Sequence, residues 1–217
     1  MQYTWKMEAR YRMRDTWIWD RLMGIRDRRL ERNWAKRGRF GPPHMVKQRI
    51  LRDYAMKYGA TTLVETGTYL GDMVYAMRDS FKNIYSIELN RELYERAQQS
   101  FKKYPHIHFV LGNSATELDR VLYGIEDRCV FWLDGHYSGG ITSMADERCP
   151  LRGELRAIIR HPVKGHVLLI DDAVCFDGKD GYPTLFELHD FVAMQLPGYE
   201  VKIFDNIIQI APSAATK

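Results

Sequence analysis

This 217-residue sequence predicts an α/β fold, a doubly wound and mostly parallel sheet with helices on both faces, and three observations carry the prediction. After Gly59, short apolar runs rich in β-formers alternate with helical patterns at the spacing of βαβ units. Several of those runs end in a carboxylate: Glu65, Glu88, Asp134 and the Asp171-Asp172 pair. The composition, 45% hydrophobic and 28% charged, is that of a globular protein long enough for a sizeable core.

Taken in order, residues 16–36 read as one amphipathic helix, with Ile18, Leu22 and Ile25 at helical intervals, Trp17, Trp19 and Trp34 adding bulk, and a soft interruption at Gly24. The GRFGPP stretch, residues 38–43, reads as a linker, because two prolines and two glycines do not continue a helix. Residues 44–59 form a second predicted helix with Gly59 at its C-cap. TTLVET (61–66) is the first strand and 71–81 its helix; NIYSIEL (83–89) is the second strand, followed by a helix over 91–104. HIHFVLG (106–112), RCVFWLD (128–134) and HVLLIDD (166–172) are the next three strands, with helices over 114–124, 151–161 and 182–196. YEVKIFDN and IIQIAP close the chain as two strands, a hairpin turning through Asp205-Asn206. The expected organisation is a basic helical extension and linker over 1–43 and an α/β domain over 44–217, with no internal repeat.

Charge is unevenly spread. Residues 1–49 hold 14 Lys+Arg against 5 Asp+Glu, whereas the remainder holds 18 against 23. The basic segment is therefore a candidate contact for nucleic acid or an anionic membrane surface. No run of about 18 uncharged apolar residues marks a membrane span, and the first residues lack the apolar stretch of a secretory signal. Cys129, Cys149 and Cys175 form no CxxC pair and read as core or loop thiols, so a reducing cytoplasm is the expected location.

In a doubly wound sheet the turn after the first strand receives the nucleotide cofactor. A dinucleotide site asks there for GxGxxG; LVETGTYLGD offers Gly67 and Gly71 with Thr66, Thr68 and Tyr69, and fails that test. An acidic residue, Glu65, followed by GxxxG suits instead a cofactor with a cationic amino-acid end and no phosphate. LVETGTYLGD, IYSIEL and VLGNSATEL resemble motifs I, II and III of the class I S-adenosylmethionine (SAM)-dependent methyltransferases. The resemblance spans roughly residues 44 to 210 and implies a Rossmann-like, seven-stranded sheet. It implies that Glu65, Thr66, Gly67, Thr68, Tyr69 and Gly71 form the cofactor turn and that Glu88 accepts the ribose hydroxyls. Asn113 and Ser114 would read the adenine, Asn113 replacing the commoner Asp.

Parallel strands ending in Asp134 and in Asp171-Asp172 open on one sheet edge, so three carboxylates should converge beside the cofactor. Their mutual repulsion would be relieved by a hard divalent cation, Mg²⁺ being the natural one. The pattern is similar to the metal-dependent sugar O-methyltransferases of the macrocin and novobiocin type, with an LDGD-like motif after strand four and DD after strand five. That resemblance implies Asp134, Asp171 and Asp172 as Mg²⁺ ligands. The chain departs from it at His136, so either Asp134 or His136 is the catalytic base. The bland alternative makes Asp171-Asp172 a turn cap and His136 a loop hydrogen-bonder; His44, His106, His108, His161, His166 and His189 read as structural or exposed.

The loop over 135–150 is long and glycine-rich, and Tyr137 and Arg148 are its candidates for touching an acceptor. The basic N-terminal helix is read as a lid, a homodimer arm, a peripheral membrane contact or a plain core helix. The leading expectation is Mg²⁺-assisted SAM-dependent methylation of a hydroxyl on a saccharide or glycosylated small molecule. An RNA methyltransferase using the basic segment ranks below it, since LDGHYS lacks the aromatic NPPY pattern of base methylation. A non-catalytic SAM-fold binding module is the third reading.

Overall fold

The structure, a computed structural model, describes residues 13, 14, 16–36, 41–134 and 149–213. Two helices, α1 (Trp17–Lys36) and α2 (His44–Tyr58), precede the first strand. The sheet then forms in alternation: β1 (Thr62–Thr66), α3 (Asp72–Met77), β2 (Asn83–Glu88), α4 (Arg91–Phe101), β3 (Ile107–Leu111) and α5 (Ser114–Leu122). It continues through β4 (Cys129–Leu133), α6 (Leu151–Arg160), β5 (Val167–Ile170), a 3₁₀ turn (Ala173–Cys175), α7 (Leu185–Gln195), β6 (Tyr199–Phe204) and β7 (Ile207–Pro212).

The strand order is β3-β2-β1-β4-β5-β7-β6, parallel through the first five and antiparallel where β7 meets β5 and β6. This is the doubly wound, Rossmann-like sheet that the sequence predicts. Its central strands read as continuous apolar runs because both faces are covered. Side chains alternate between two cores. Leu63, Val130 and Leu169 face a cluster with Leu51 and Ala55 of α2 and with Val74 and Met77 of α3. Val64, Phe131 and Leu168 face the other, with Leu118 of α5, Leu155 of α6 and Leu188 of α7.

The turns follow their residues. Gly59 ends α2 at φ +64°, and the Ala60 N–H returns to the Ala55 carbonyl at 3.0 Å. Asp205 and Asn206 both take positive φ, the geometry of a two-residue hairpin, as the sequence predicts.

Two local expectations change. The helix expected over 71–81 stops at Met77; a turn from the Ser80 N–H to the Met77 carbonyl (2.8 Å) inserts Phe81 into the core and lets the Lys82 N–H reach the Thr61 carbonyl. In α1 the stripe Ile18, Leu22 and Ile25 faces outward. The helix packs against α2 through its opposite side, where Trp34 is buried, Trp19 is half-buried against the core, and Glu31 pairs with Arg49 at 2.9 Å. An indole buries more apolar area than an isoleucine or leucine, which orients the helix. Among the described residues no helix is long and apolar enough to cross a membrane.

Candidate active site

Parallel register brings the acidic strand ends together. Thr66 pairs with Ile87 on one side and Leu133 on the other, and Leu133 pairs with Ile170. Glu65, Glu88, Asp134 and Asp171-Asp172 therefore share the carboxyl edge of the sheet, where α/β proteins bind ligands.

The turn after β1 is tightly tied. Gly67 takes φ +85° and donates its N–H to the Ile87 carbonyl (2.9 Å). Tyr69 takes φ +49°, uncommon for a bulky residue, and its N–H donates to Glu88 Oε2 at 2.8 Å. The Asn90 N–H donates to Glu88 Oε1 at 2.8 Å, so both oxygens of Glu88 hold a backbone donor. Burial pushes the Glu88 carboxyl upward against the backbone bonds from Asn90, Tyr69 and Leu89.

Glu65 is 2% exposed. Its Oε2 accepts from the Ser86 hydroxyl, which lies 2.6 Å from the Thr68 hydroxyl. Burial drives its pKa from 4.5 to about 8, the Ser86 bond opposing and the Asp134 and Glu88 charges adding. A buried carboxyl this strongly perturbed is the group whose charge a bound cation would restore.

Gly71 caps α3 at φ +68°, and a Cβ there would lie 2.9 Å from Phe101 Cε2, so this glycine serves the packing of α4. Asn113 caps α5, its Oδ1 accepting from the Ala115 N–H at 3.0 Å; the adenine-reading role expected of it shares that side chain with a cap. Ser114 follows, buried.

The second half of the edge is the carboxylate triad. Asp134, Asp171 and Asp172 each offer an oxygen, and the three lie within 4.8 Å of one another. Asp171 is 4% exposed, and its Oδ1 accepts the Asp172 N–H at 2.9 Å. Asp172 takes φ +54° and is held by the hairpin turn: Asn206 Nδ2 donates to its Oδ1 at 3.0 Å, while the Asn206 carbonyl and Oδ1 receive the Ala173 and Val174 N–H groups. Burial, with the neighbouring Asp134 charge, raises Asp171 to about 6, Lys47 opposing. Oxygens on opposite sides of Mg²⁺ lie about 4.2 Å apart, and of Ca²⁺ about 5 Å. The triad offers three hard carboxylate donors within the span of one divalent cation's shell.

The sequence matches no family model and no curated relative. Solved structures do match. An O-methyltransferase from Bacillus cereus in complex with SAH aligns with TM-score 0.59 at 11% identity over 80% of this chain and 83% of its own. The O-methyltransferase TomG from Streptomyces achromogenes, in complex with SAM, aligns at 0.58 and 12% identity over 80% and 82%. The 23S rRNA methyltransferase ErmE aligns at 0.52 and 13% over 81% and 70%. The chain has the class I methyltransferase fold. At such identities the shared property is the fold, and the acceptors of these neighbours differ among themselves.

Within this methyltransferase fold, His136, Tyr137 and Arg148 lie outside the described residues. Four residues at the edge were not legible as site residues in the sequence. Lys47 of α2 pairs with Asp171 Oδ2, and its ammonium lies 6.0 Å from the centre of the Trp132 ring. One turn earlier on that helix, His44 Nδ1 lies 2.6 Å from Gln48 Nε2; burial lowers its pKa, the Asp72 and Asp134 charges opposing. Arg14, 3% exposed, donates to the Leu70 carbonyl (2.7 Å) and Asp72 Oδ1 (2.6 Å), so it grips the turn between β1 and α3. Glu154 of α6 is 1% exposed, its Oε1 has no hydrogen-bond partner among the described residues, and burial raises it to about 7. It lines a cavity of ≈ 20 Å³ with Asp171 and Tyr182, room for one water.

Lys47 carries a legible signal in retrospect, since it stands four residues before Leu51 and eight before Ala55, on the buried stripe of α2. Elsewhere the bland reading stands: His161 Nδ1 and His166 Nε2 form a buried pair at 2.9 Å, and burial pushes the Cys129 thiol up to about 12.

Proposed function

We propose that this protein is a SAM-dependent O-methyltransferase that moves a methyl group, with the help of Mg²⁺ or another divalent cation, to a hydroxyl of a saccharide or glycosylated small molecule. The observation that carries the reading is the convergence of the three carboxylates, within 4.8 Å, on the sheet edge that also holds Glu65, Gly67 and Glu88. Glu65 answers the cationic amino-acid end of SAM, the Thr66–Gly71 turn approaches it through backbone, and Glu88 accepts from the ribose hydroxyls. Asn113 and Ser114 border the adenine.

Asp134, Asp171 and Asp172 would hold the divalent ion, which supplies Lewis acidity toward the acceptor hydroxyl. The hydroxyl proton passes to Asp134 or His136, the oxygen forms a bond to the methyl carbon as the sulfonium S–C bond breaks, and S-adenosylhomocysteine leaves. Most of the acceleration comes from holding oxygen, methyl and sulfur in line and from charges already fixed at the edge.

A second reading, methylation of RNA, is favoured by the exposed arginines of α1, among them Arg21, Arg28, Arg29 and Arg32. It requires salt-sensitive nucleic-acid binding that disappears when residues 1–41 are removed.

The test is calorimetric titration of SAM and then Mg²⁺, repeated with Asp171→Ala and Asp172→Ala. Retained SAM binding with loss of Mg²⁺ in the variants supports the proposal and directs acceptor screening to sugars. Absence of SAM binding in the wild type overturns it.

A further inference from the structure

The triad already contains a cation. Lys47 enters from the first turn of α2 with its side chain 19% exposed, and it pairs with Asp171 across 124 residues of sequence. Asp171 is 2% exposed at its side chain, so this is not a solvent-screened surface pair. The ammonium also lies over the Trp132 ring. Both oxygens of Asp171 are thereby engaged, Oδ2 by Lys47 and Oδ1 by the Asp172 N–H.

From this geometry we infer that Lys47 is a resident counter-cation at Asp171 of the triad, a positioning residue that weakens the affinity of the site for a divalent ion. The inference rests on the proposed reading of Asp134, Asp171 and Asp172 as ion ligands. Its physical content is twofold. Without a bound ion, Lys47 neutralises the buried Asp171 carboxylate and lessens its repulsion toward its two neighbours. With an ion present, the ammonium shares Asp171 with it and repels it, so the ion is held more weakly than three carboxylates alone would hold it. A site tuned in this way exchanges its ion readily.

Lys47 also joins the ion site to the start of the domain. Val46, Leu51 and Ala55 bury α2 against the sheet, so the ammonium is delivered by a packed helix rather than a loop. The lysine is thus pre-organised, and its effect on the ion should persist in the protein free of SAM.

The experiment is direct measurement of Mn²⁺ binding, by electron paramagnetic resonance of the free ion, to wild type, Lys47→Met, Lys47→Arg and Asp171→Asn. Removing a unit positive charge beside a divalent ion in a partly buried site should tighten binding at least about tenfold in Lys47→Met, and Lys47→Arg should remain near wild type. Asp171→Asn should lose the ion. Circular dichroism and thermal unfolding establish that each variant is folded, and Mn²⁺ should raise the Tm of Lys47→Met more than that of the wild type. Binding by Lys47→Met with no detectable binding by wild type would also support the inference, the ammonium then being the dominant occupant. Equal or weaker binding by folded Lys47→Met, with the wild type binding normally, overturns the role of Lys47 and leaves the ion site standing. Failure of every variant to bind Mn²⁺ overturns both.

Discussion

Replacing Glu65 by Gln should make the ligand-free protein more stable and its cofactor binding weaker. Glu65 is 2% exposed, and its carboxyl rises from 4.5 to about 8 on folding. A carboxyl whose folded pKa is raised contributes its full stability below pH 4.5 and loses it as pH rises through 8, because the folded state holds a proton that the unfolded state releases. The loss runs at about 1.4 kcal/mol per pH unit, which amounts to about 3 kcal/mol by pH 7. Gln keeps an oxygen to accept from Ser86 and removes the titration. Urea unfolding of both proteins between pH 5 and 8.5, without SAM, should show curves that diverge by about that slope, Glu65→Gln being the more stable at the alkaline end. Binding of SAM to wild type at pH 7 should also release a proton as the cation restores the Glu65 charge. Calorimetry in two buffers of different ionisation enthalpy reads that proton, and Glu65→Gln should abolish it. Parallel stability curves for the two proteins would refute the reasoning, whatever the affinities.

Arg14→Met removes an ion pair and a carbonyl bond at the cofactor turn, where Arg14 meets Asp72 at 2.6 Å and Leu70 at 2.7 Å. It should cost about 1–3 kcal/mol of stability and weaken SAM binding, read by denaturation and calorimetry, with Arg14→Lys intermediate. Gly153→Val sets a Cβ 2.7 Å from Ala115 Cβ and 2.8 Å from its carbonyl oxygen, forcing α6 away from α5. It should destabilise by about 1–3 kcal/mol and lower SAM affinity through the displaced Asn113-Ser114 end of α5, which the same two measurements detect.

The fold was legible because each of its strands is written locally. A run such as Leu63-Val64 or Val167-Leu168-Leu169-Ile170 is apolar on both faces, and Asp205-Asn206 states its own turn. The acidic edge followed from that topology, since parallel strands with carboxylates at their ends leave no other arrangement. What escaped were the groups that arrive from elsewhere. Arg14 and Lys47 find their partners 58 and 124 residues away; Arg14 reads locally as one more basic residue, and the place of Lys47 on the stripe of Leu51 and Ala55 marks it as inward without naming its partner. Glu154 reads as an ordinary acidic residue in the first turn of a helix, and only the packing of α6 over the strand ends buries it, beside Leu133, Asp171 and Tyr182. The outward face of α1 escaped for a related reason: two stripes competed, and the indoles outweighed the isoleucines.

The uneven charge takes on a different meaning once the edge is assembled. A segment with 14 basic residues against 5 acidic ones suggests an external polyanion, yet two of its cations are directed inward. Arg14 meets Asp72 at the start of α3, beside the cofactor turn, and Lys47 meets Asp171 in the triad. The rest of the chain carries the acidic excess, and part of that excess lies at the strand ends, where burial raises the Glu65 and Asp171 carboxyls. The N-terminal segment therefore supplies countercharge to the carboxylates that parallel topology concentrates at one edge. Truncating it removes an electrostatic component of the site itself. Loss of SAM binding at low salt on removal of residues 1–41 would accordingly say nothing about RNA, because Arg14 goes with them. A charge-neutralised α1 with Arg14 and Lys47 intact separates the two roles. It should keep SAM affinity, and any salt-sensitive nucleic-acid binding should disappear with the surface arginines alone.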